Sequence, residues 1–400
     1  MNVVVTDGNE RATLAVTRSL GREGYGVVVG AERQPSLAGT SRYCRAGFVY
    51  PSPAHDPEGF VTALETEARR HQAVLLIPMS DLAMSAIGAQ RARLEASVTI
   101  PVAPQAVYDD ASDKYRLMQR AAALGLPIPH TWYVPAGDVQ PILAELGPYP
   151  LIIKPGRSLV TLDGRWVKTQ VTQARSAEDL LEQYRGTPAL RLPSLIQRRI
   201  EGEGQGVFAL FDRGRPVLLF AHRRVREKPP SGGVSVVRES IELPQPMTDY
   251  AVRLLENVGW HGAAMVEFKT DARSGVPYLM EINGRFWGSL QLAIDAGANF
   301  PADLATIALS KPRRVQDPAY RVGVRSRWVL GDVDHLLARL LKSDAALRLP
   351  SGYPSRWQCL RDFLSFGQRD QFAEIERWDD CGPARYEWAA YVKQLLGRTT

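Results

Sequence analysis

Glu281 and Asn283 stand two residues apart in the stretch Tyr278–Ser289, YLMEINGRFWGS, with Arg285 just beyond Gly284. Side chains alternate between the faces of a strand, which puts Glu281 and Asn283 on one face and Tyr278, Met280 and Ile282 on the other. Upstream, Ala263–Thr270 (AAMVEFKT) has the same character: Ala264, Val266 and Phe268 form an apolar face and Glu267 points away from it. The intervening DARSGV is a polar, glycine-containing turn of the kind that closes a hairpin. Pairing symmetric about that turn sets Glu267 roughly opposite Glu281, and like charges directly opposed destabilise a ladder. A divalent cation resolves the conflict, because a hard ion such as magnesium takes one or two carboxylates and completes its shell with water and phosphate oxygens. A solvated strand face whose carboxylates point into water is the competing explanation.

The chemistry has to be carried by a chain of ordinary globular composition. With 400 residues, 45% of them hydrophobic and 23% charged, two or three domains with a large core are expected and disorder is not. The first residues, MNVVVTDGNE, lack a basic region followed by an apolar one, and the apolar run Ala73–Met79 (AVLLIPM) is too short to span a bilayer. A cytoplasmic protein without a membrane partner is the expectation. Cys44, Cys359 and Cys381 show neither metal-ligand nor paired spacing, which argues against a disulfide framework. The net charge of +6 comes from scattered residues, so anionic small molecules fit better than nucleic acid. Only eight of the 49 basic residues are lysines, which makes each retained lysine informative where a compact point charge must meet a phosphate.

Alternation of strand and helix over residues 1–105 predicts a parallel, doubly wound sheet. NVVVTDG reads as a strand, NERATLAVTRSLGREG as a helix with a glycine stop, and YGVVVGA as a strand; a helix over 57–71, strand AVLLIPM, a helix over 81–95 and a last strand Val98–Ala103 follow. The turn TDGNERA has one glycine, so it reads as a plain strand-to-helix turn capped by Asn9 and not as a dinucleotide fingerprint. Further on, a helix from about Ser112 carries Lys114 in its first turn and ends at Gly125. YPLIIKPGRS reads as a strand ending at Lys154, VTLDGRWVKTQV as a hairpin around Asp163 and Gly164, and Ser176–Arg185 as a helix. The stretch from Pro193 to Val225 supplies a strand, a glycine-rich joint and two strands around Asp212–Gly214, a mixed α+β region with antiparallel pairing.

Taken in order, Lys114, the IIKP of Lys154, LIQRRIEG (Leu195–Gly202), the MVEFK of Glu267 and the LMEINGR of Glu281, Asn283 and Arg285 resemble the ATP-grasp superfamily, in particular its carboxylate–amine ligases, over roughly residues 1–310. The resemblance implies an α/β Rossmann-like domain (1–108) ahead of a two-lobe α+β ATP-grasp fold, with a small lobe over 109–190 and a large, metal-bearing lobe over 191–312. A small helical appendage over 313–400 completes the chain. ATP and Mg2+, with Mn2+ as an alternative, are the implied cofactors. Carried over by position, Lys114 and Lys154 contact ATP phosphates, Gln197 to Ile200 form the hinge that reads adenine, and Glu203 meets the ribose. Glu267, Glu281 and Asn283 hold the metal, and Arg285 steadies the transferring phosphoryl group. Between Lys154 and Lys168 this chain has only Gly156 and Gly164 where relatives carry a multi-glycine phosphate loop. The implied activity joins a small-molecule carboxylate to an amine through an acyl phosphate, giving an amide, ADP and phosphate.

One basic stretch adds to the set. In His222–Ser240, HRRVREKPPSGGVSVVRES, alternation puts Arg224 and Arg226 on one face and Arg223 on the other, and Ser231–Gly233 could offer backbone N–H groups to an anion. Arg226 and Arg223 are accordingly candidates for holding a carboxylate or acyl phosphate, which the arginine fork suits. The C-terminal region is amphipathic and broken by Pro350–Gln358; it reads as a helical appendage that packs on the ligase or makes a homodimer surface. Three other classes compete: an ATP-grasp kinase without an amine acceptor, a nucleotide-binding protein without turnover, and a dehydrogenase. The last leaves Glu267, Glu281 and Asn283 unexplained.

Overall fold

The structure is a computed structural model that describes residues 1–397 apart from 163, 231, 313–319, 348, 350, 351, 366 and 368. The expectations that fall on Asp163, on Ser231 and on the start of the Pro350–Gln358 break lie outside the described residues. In the first domain β1 (Asn2–Val5), α1 (Arg11–Arg22), β2 (Gly26–Ala31), β3 (Cys44–Val49), α2 (Pro57–Arg70) and β4 (Ala73–Ile77) build a four-stranded parallel sheet of order β3-β2-β1-β4. Val3, Val4, Val5 and Val27, Val28, Val29 are fully buried, as continuous apolar strands covered on both faces require. The strand expected at Val98–Ala103 shrinks to a single parallel bridge between Leu75 and Thr99. Asn9 is not a helix cap: its Oδ1 accepts from the Leu37 N–H at 3.1 Å and from the Tyr386 hydroxyl at 3.2 Å.

α3 (Asp81–Ala89), capped by the Ser80 hydroxyl, and α4 (Arg91–Glu95) follow. The helix expected from about Ser112 to Gly125 is α6 (Lys114–Ala123), and a further helix, α5 (Gln105–Ser112), precedes it. Asp113 breaks them and caps the second, accepting from Tyr115 and Arg116 N–H. The next elements are β5 (Thr131–Val134), β6 (Leu151–Pro155), β7 (Leu159–Leu162), β8 (Arg165–Lys168), β9 (Thr172–Ala174), α7 (Ala177–Gly186) and β10 (Ser194–Arg198). They form a small sheet, β5-β10-β6-β9, and a separate β7-β8 hairpin. β10 therefore stands with the small lobe.

The large sheet takes β11 (Gly202–Asp212), β12 (Arg215–Lys228), β13 (Val234–Ile241), β14 (Gly262–Asp271) and β15 (Pro277–Asn283), with α8 (Met247–Asn257) between β13 and β14. α9 (Leu290–Ala296) and α10 (Phe300–Ala308) follow it, then β16 (Arg325–Arg327), α11 (Val329–Leu341), α12 (Arg356–Leu364), β17 (Gln371–Ala373) and α13 (Gly382–Leu395). Its order is β15-β14-β11-β12-β13-β16-β17, so the C-terminal region is helical in the main and also extends this sheet by two strands. One face packs Val266, Phe268, Leu279 and Ile282 against α5, α6 and α8. The other packs Phe208, Phe220 and Met265 into a core shared with α1, α9, α10 and the first sheet. Burial on both faces fixes the register, because a one-residue slip would expose every core side chain of a strand.

Candidate functional site

The hairpin pairs as its sequence implies. Glu267 lies directly opposite Glu281, and Val266 opposite Ile282. A bulge at Met280 breaks the alternation expected for β15: Leu279 and Ile282 are buried, while Met280 stands on the more open side with Glu281 and Asn283. Asn283 Nδ2 donates to Glu267 Oε1 at 3.3 Å and to Glu281 Oε1 at 3.2 Å. Burial, then the Glu281 charge, pushes the Glu267 carboxyl up from its ordinary value. Burial acts the same way on Glu281, but Lys114 beside it outweighs this and holds its carboxyl down.

Lys114 reaches that position because it opens α6, where its ammonium opposes the helix dipole and gains compensation from side chains instead. Its Nζ lies 3.2 Å from Glu281 Oε2 and donates to Ser158 Oγ at 2.7 Å. Lys154 arrives from the small sheet: it is 7% exposed, and its Nζ lies 3.8 Å from Met280 Sδ. Burial lowers its ammonium to about 8. Register places Leu195 opposite Lys154 and Gln197 opposite Ile152, so Lys154 and Gln197 share one face of the small sheet. Gln197 is 1% exposed, donates to Thr131 Oγ1 at 2.9 Å, and has a buried Oε1 with no hydrogen-bond partner. Ile200 is half-buried just past β10, and Glu203 is exposed in β11, opposite Thr270.

The basic stretch divides differently from the expectation. Arg223 pairs with Glu239 at 2.6 Å on the surface, and Arg226 makes a bidentate pair, 2.7 Å on each arm, with the fully buried Asp332. Neither is brought to the carboxylates. Bulges between Arg224 and Glu227 break the alternation that would have set Arg224 and Arg226 side by side. Arg224 is the member whose charge acts on Glu267. Arg285 is engaged by the first domain, with its Nε and Nη2 on the two oxygens of Asp81 at 3.0 and 2.9 Å. Asp81, Lys114, Arg157, Ser158, Glu281 and Asn283 line one small cavity. Arg157, Ser158 and Asp81 went unread because their partners, Asp109 and Asp113, Lys114, and Arg285, lie on other elements.

Two half-buried, directly opposed carboxylates and an amide fit an oxygen-ligated cation. Among the described residues no group of three or more His, Cys, Asp or Glu side chains is placed to hold a metal; what the hairpin would offer a cation is two carboxylates and, with its amide turned, the Asn283 carbonyl. That set leaves coordination places for water and phosphate, as magnesium requires. The orphaned Gln197 Oε1 can accept from an exocyclic amine of a base.

The same architecture recurs in solved structures. The biotin carboxylase domain of Hydrogenobacter thermophilus 2-oxoglutarate carboxylase, in complex with MgADP, ADP and bicarbonate, superposes with a TM-score of 0.62 at 17% identity over 81% of this chain and 73% of that one. An L-amino acid ligase from Bacillus licheniformis gives 0.58 at 15% over 80% and 76%. N5-carboxyaminoimidazole ribonucleotide synthetase from Thermus thermophilus gives 0.59 at 16% over 81% of each. A family model described as ATP-grasp in the biosynthetic pathway with Ter operon matches residues 193–331. This chain has the ATP-grasp fold. Its small sheet and β7-β8 hairpin form one ATP-grasp lobe and its large sheet the other, with Lys154 and Glu281 on the surfaces that face each other. A curated relative, the mitochondrial methylcrotonoyl-CoA carboxylase subunit alpha of Oryza sativa subsp. japonica, is 27% identical over 255 residues; the match takes 59% of the ATP-grasp chain and only a third, 33%, of that relative. Among the described residues no helix is long and apolar enough to cross a membrane.

Proposed function

We propose that this protein is an ATP-dependent ligase that activates a small-molecule carboxylate as an acyl phosphate and joins it to an amine. The observation that carries the reading is the convergence of Glu267, Glu281 and Asn283 with Lys114 and Lys154, the acids from the large sheet and the lysines from the opposite side of one cleft. The solved relatives named above include complexes with MgADP and an amino acid ligase, which supports ATP with Mg2+ (or Mn2+) as the cofactor pair and the amide-forming class.

In this reading a carboxylate oxygen of the substrate attacks the γ-phosphorus, and the bond from that phosphorus to the β–γ bridging oxygen breaks to release ADP. The amine nitrogen then attacks the acyl carbon, the carbon–oxygen bond to phosphate breaks, and the nitrogen gives up a proton. Glu267, Glu281 and the Asn283 carbonyl would hold the cation, which would supply charge neutralisation to the phosphates. Lys114 and Lys154 place ammonium groups against the phosphates, and Arg285 offsets charge that spreads in a loose transition state. Gln197 to Ile200 receive the base, with Gln197 Oε1 as acceptor, and Glu203 lies at the ribose end. Arg224 takes the place that Arg223 and Arg226 were expected to fill, as the arginine of β12 whose charge acts on Glu267.

The test is ADP release from MgATP with pooled carboxylates and amines, comparing the native chain with Glu281→Gln. Release that needs both pools and is lost in the variant is the expected result. Release with the carboxylate pool alone would instead make the protein a kinase-type enzyme, and absence of MgATP binding would remove the assignment altogether.

A further inference from the structure

Arg285 is held by Asp81 of the first domain and by the carbonyl of its own neighbour Phe286. Its Nε and Nη2 engage Asp81, its Nη1 donates to the Phe286 carbonyl at 3.2 Å, and the Tyr108 hydroxyl donates to the same Asp81 oxygen that Nε contacts, at 3.1 Å. Tyr108 is 4% exposed and also packs on the backbone before Arg285: a Cβ added at Gly284 would stand 3.0 Å from the Tyr108 ring and 2.6 Å from Trp260. Asp81 is itself fixed at the start of α3, behind the Ser80 cap whose hydroxyl donates to Asp7 at 3.0 Å. Asp81 and Tyr108 border the cavity that Lys114, Glu281 and Asn283 line.

We propose that Asp81, buttressed by Tyr108, is the positioning residue for Arg285, setting its guanidinium toward the transferring phosphoryl group; the inference rests on the ligase reading above. A guanidinium has five N–H donors, and three are spent on Asp81 and Phe286. The two that remain, one on each Nη, are the number a bidentate contact with a phosphoryl or acyl phosphate group uses. A free arginine side chain loses substantial rotamer entropy when it orders at a ligand, so an arginine ordered beforehand spends less of its interaction on that loss. The first domain thereby takes part in phosphoryl transfer without touching the nucleotide.

The experiment measures affinity for MgADP alone and for MgADP with aluminium fluoride, which mimics the phosphoryl group in flight, by calorimetry on the full chain. In the native protein aluminium fluoride strengthens binding by about a hundredfold or more, as transition-state analogues do. Asp81→Asn lowers that gain by about tenfold while MgADP alone changes less than about threefold, Asp81→Glu restores part of the gain, and Tyr108→Phe gives a smaller loss in the same direction. In combination with Arg285→Lys, Asp81→Asn adds little further loss, because both act through one group. A full gain retained in Asp81→Asn and Tyr108→Phe overturns the positioning role and leaves the ligase reading standing. A larger gain in Asp81→Asn also overturns it, since Asp81 would then be masking Arg285. A native protein that binds MgADP but gains nothing from aluminium fluoride overturns the inference and the phosphoryl-transfer reading together.

Discussion

A buried ammonium with no carboxylate in hydrogen-bond contact is costly unless its site is built for an anion, and Lys154 is such a group. Burial brings it down to about 8, so it is charged below that pH and loses its proton above it. Phosphates brought against it favour the charged form, and binding above pH 8 must take up a proton. MgADP affinity is therefore expected to hold level below about pH 7.5 and to fall roughly three- to tenfold by pH 9, as a single-proton linkage dictates. Lys154→Arg should flatten that profile, because arginine stays charged throughout; calorimetry across pH checks both. A second expectation concerns the arginines of β12. Arg224→Ala should cut carboxylate-dependent ADP release by about tenfold or more with little change in unfolding, as loss of one preorganised charge does. Arg226→Ala should act mainly on unfolding, since it leaves the buried Asp332 one partner short.

Among the elements, the β14–β15 hairpin was legible and the C-terminal half of β12 was not, for a physical reason. A turn of fixed length between two apolar-patterned strands determines the register of the pairs beside it, Thr270 with Pro277 to Phe268 with Leu279, so the sequence brought Glu267 and Glu281 to within one residue of each other and the bulge completed their opposition. A bulge leaves no mark in hydrophobic period, so those at Met280 and after Arg224 moved side chains that strict alternation had assigned. The three-residue strands β16 and β17 are too short for any pattern, and the tie of Arg285 to Asp81 crosses 204 positions of sequence. The proposed cation ligands Glu267, Glu281 and Asn283 could thus be singled out by residue type, and their neighbours only in three dimensions. Asp332 illustrates how such long-range ties hold elements together: fully buried on α11, it pairs with Arg226 of β12 and Arg327 of β16 at 2.7 Å each. Asp332→Ala should destabilise the protein by about 3–5 kcal/mol in urea unfolding, the usual cost of leaving buried charge uncompensated.

Across the whole molecule, the two ends of the chain are stitched together. Arg18 of α1, 1% exposed, donates to Asp380 at 2.8 Å and to the carbonyls of Glu374 and Ile375 at 2.9 and 2.7 Å. Glu374 also joins Arg11 of α1 to Arg238 of β13, at 2.6 and 2.8 Å. Close by, burial pushes the Glu387 carboxyl of α13 up to about 7, with Glu376 adding to the effect and a hydrogen bond from Trp328 Nε1 opposing it. The folded protein holds that proton to higher pH than the unfolded chain, so the contribution is present below the ordinary carboxylate pKa and is lost as pH rises toward 7. Glu387→Gln should accordingly melt at the same temperature as the native chain near pH 4.5, and a few degrees higher at pH 8 if about 1 kcal/mol is recovered. Melting curves at the two pH values decide it.

The seam at Arg18 also apportions movement. The first sheet and the large sheet share one core and are riveted by the last thirty or so residues around Asp380, so neither can tilt against the other without exposing charge that water would have to enter and solvate. Among the described residues the small sheet has no comparable buried ion-pair network to the first sheet; its ties to the rest include the Lys154–Met280 contact, the half-exposed Arg157 pairs with Asp109 and Asp113, and the backbone bond from Leu279 N–H to the Pro127 carbonyl at 2.9 Å. Any tilting of the small sheet would then carry Lys154 with it, against a body that holds Glu267 and Glu281 in place beside the first sheet.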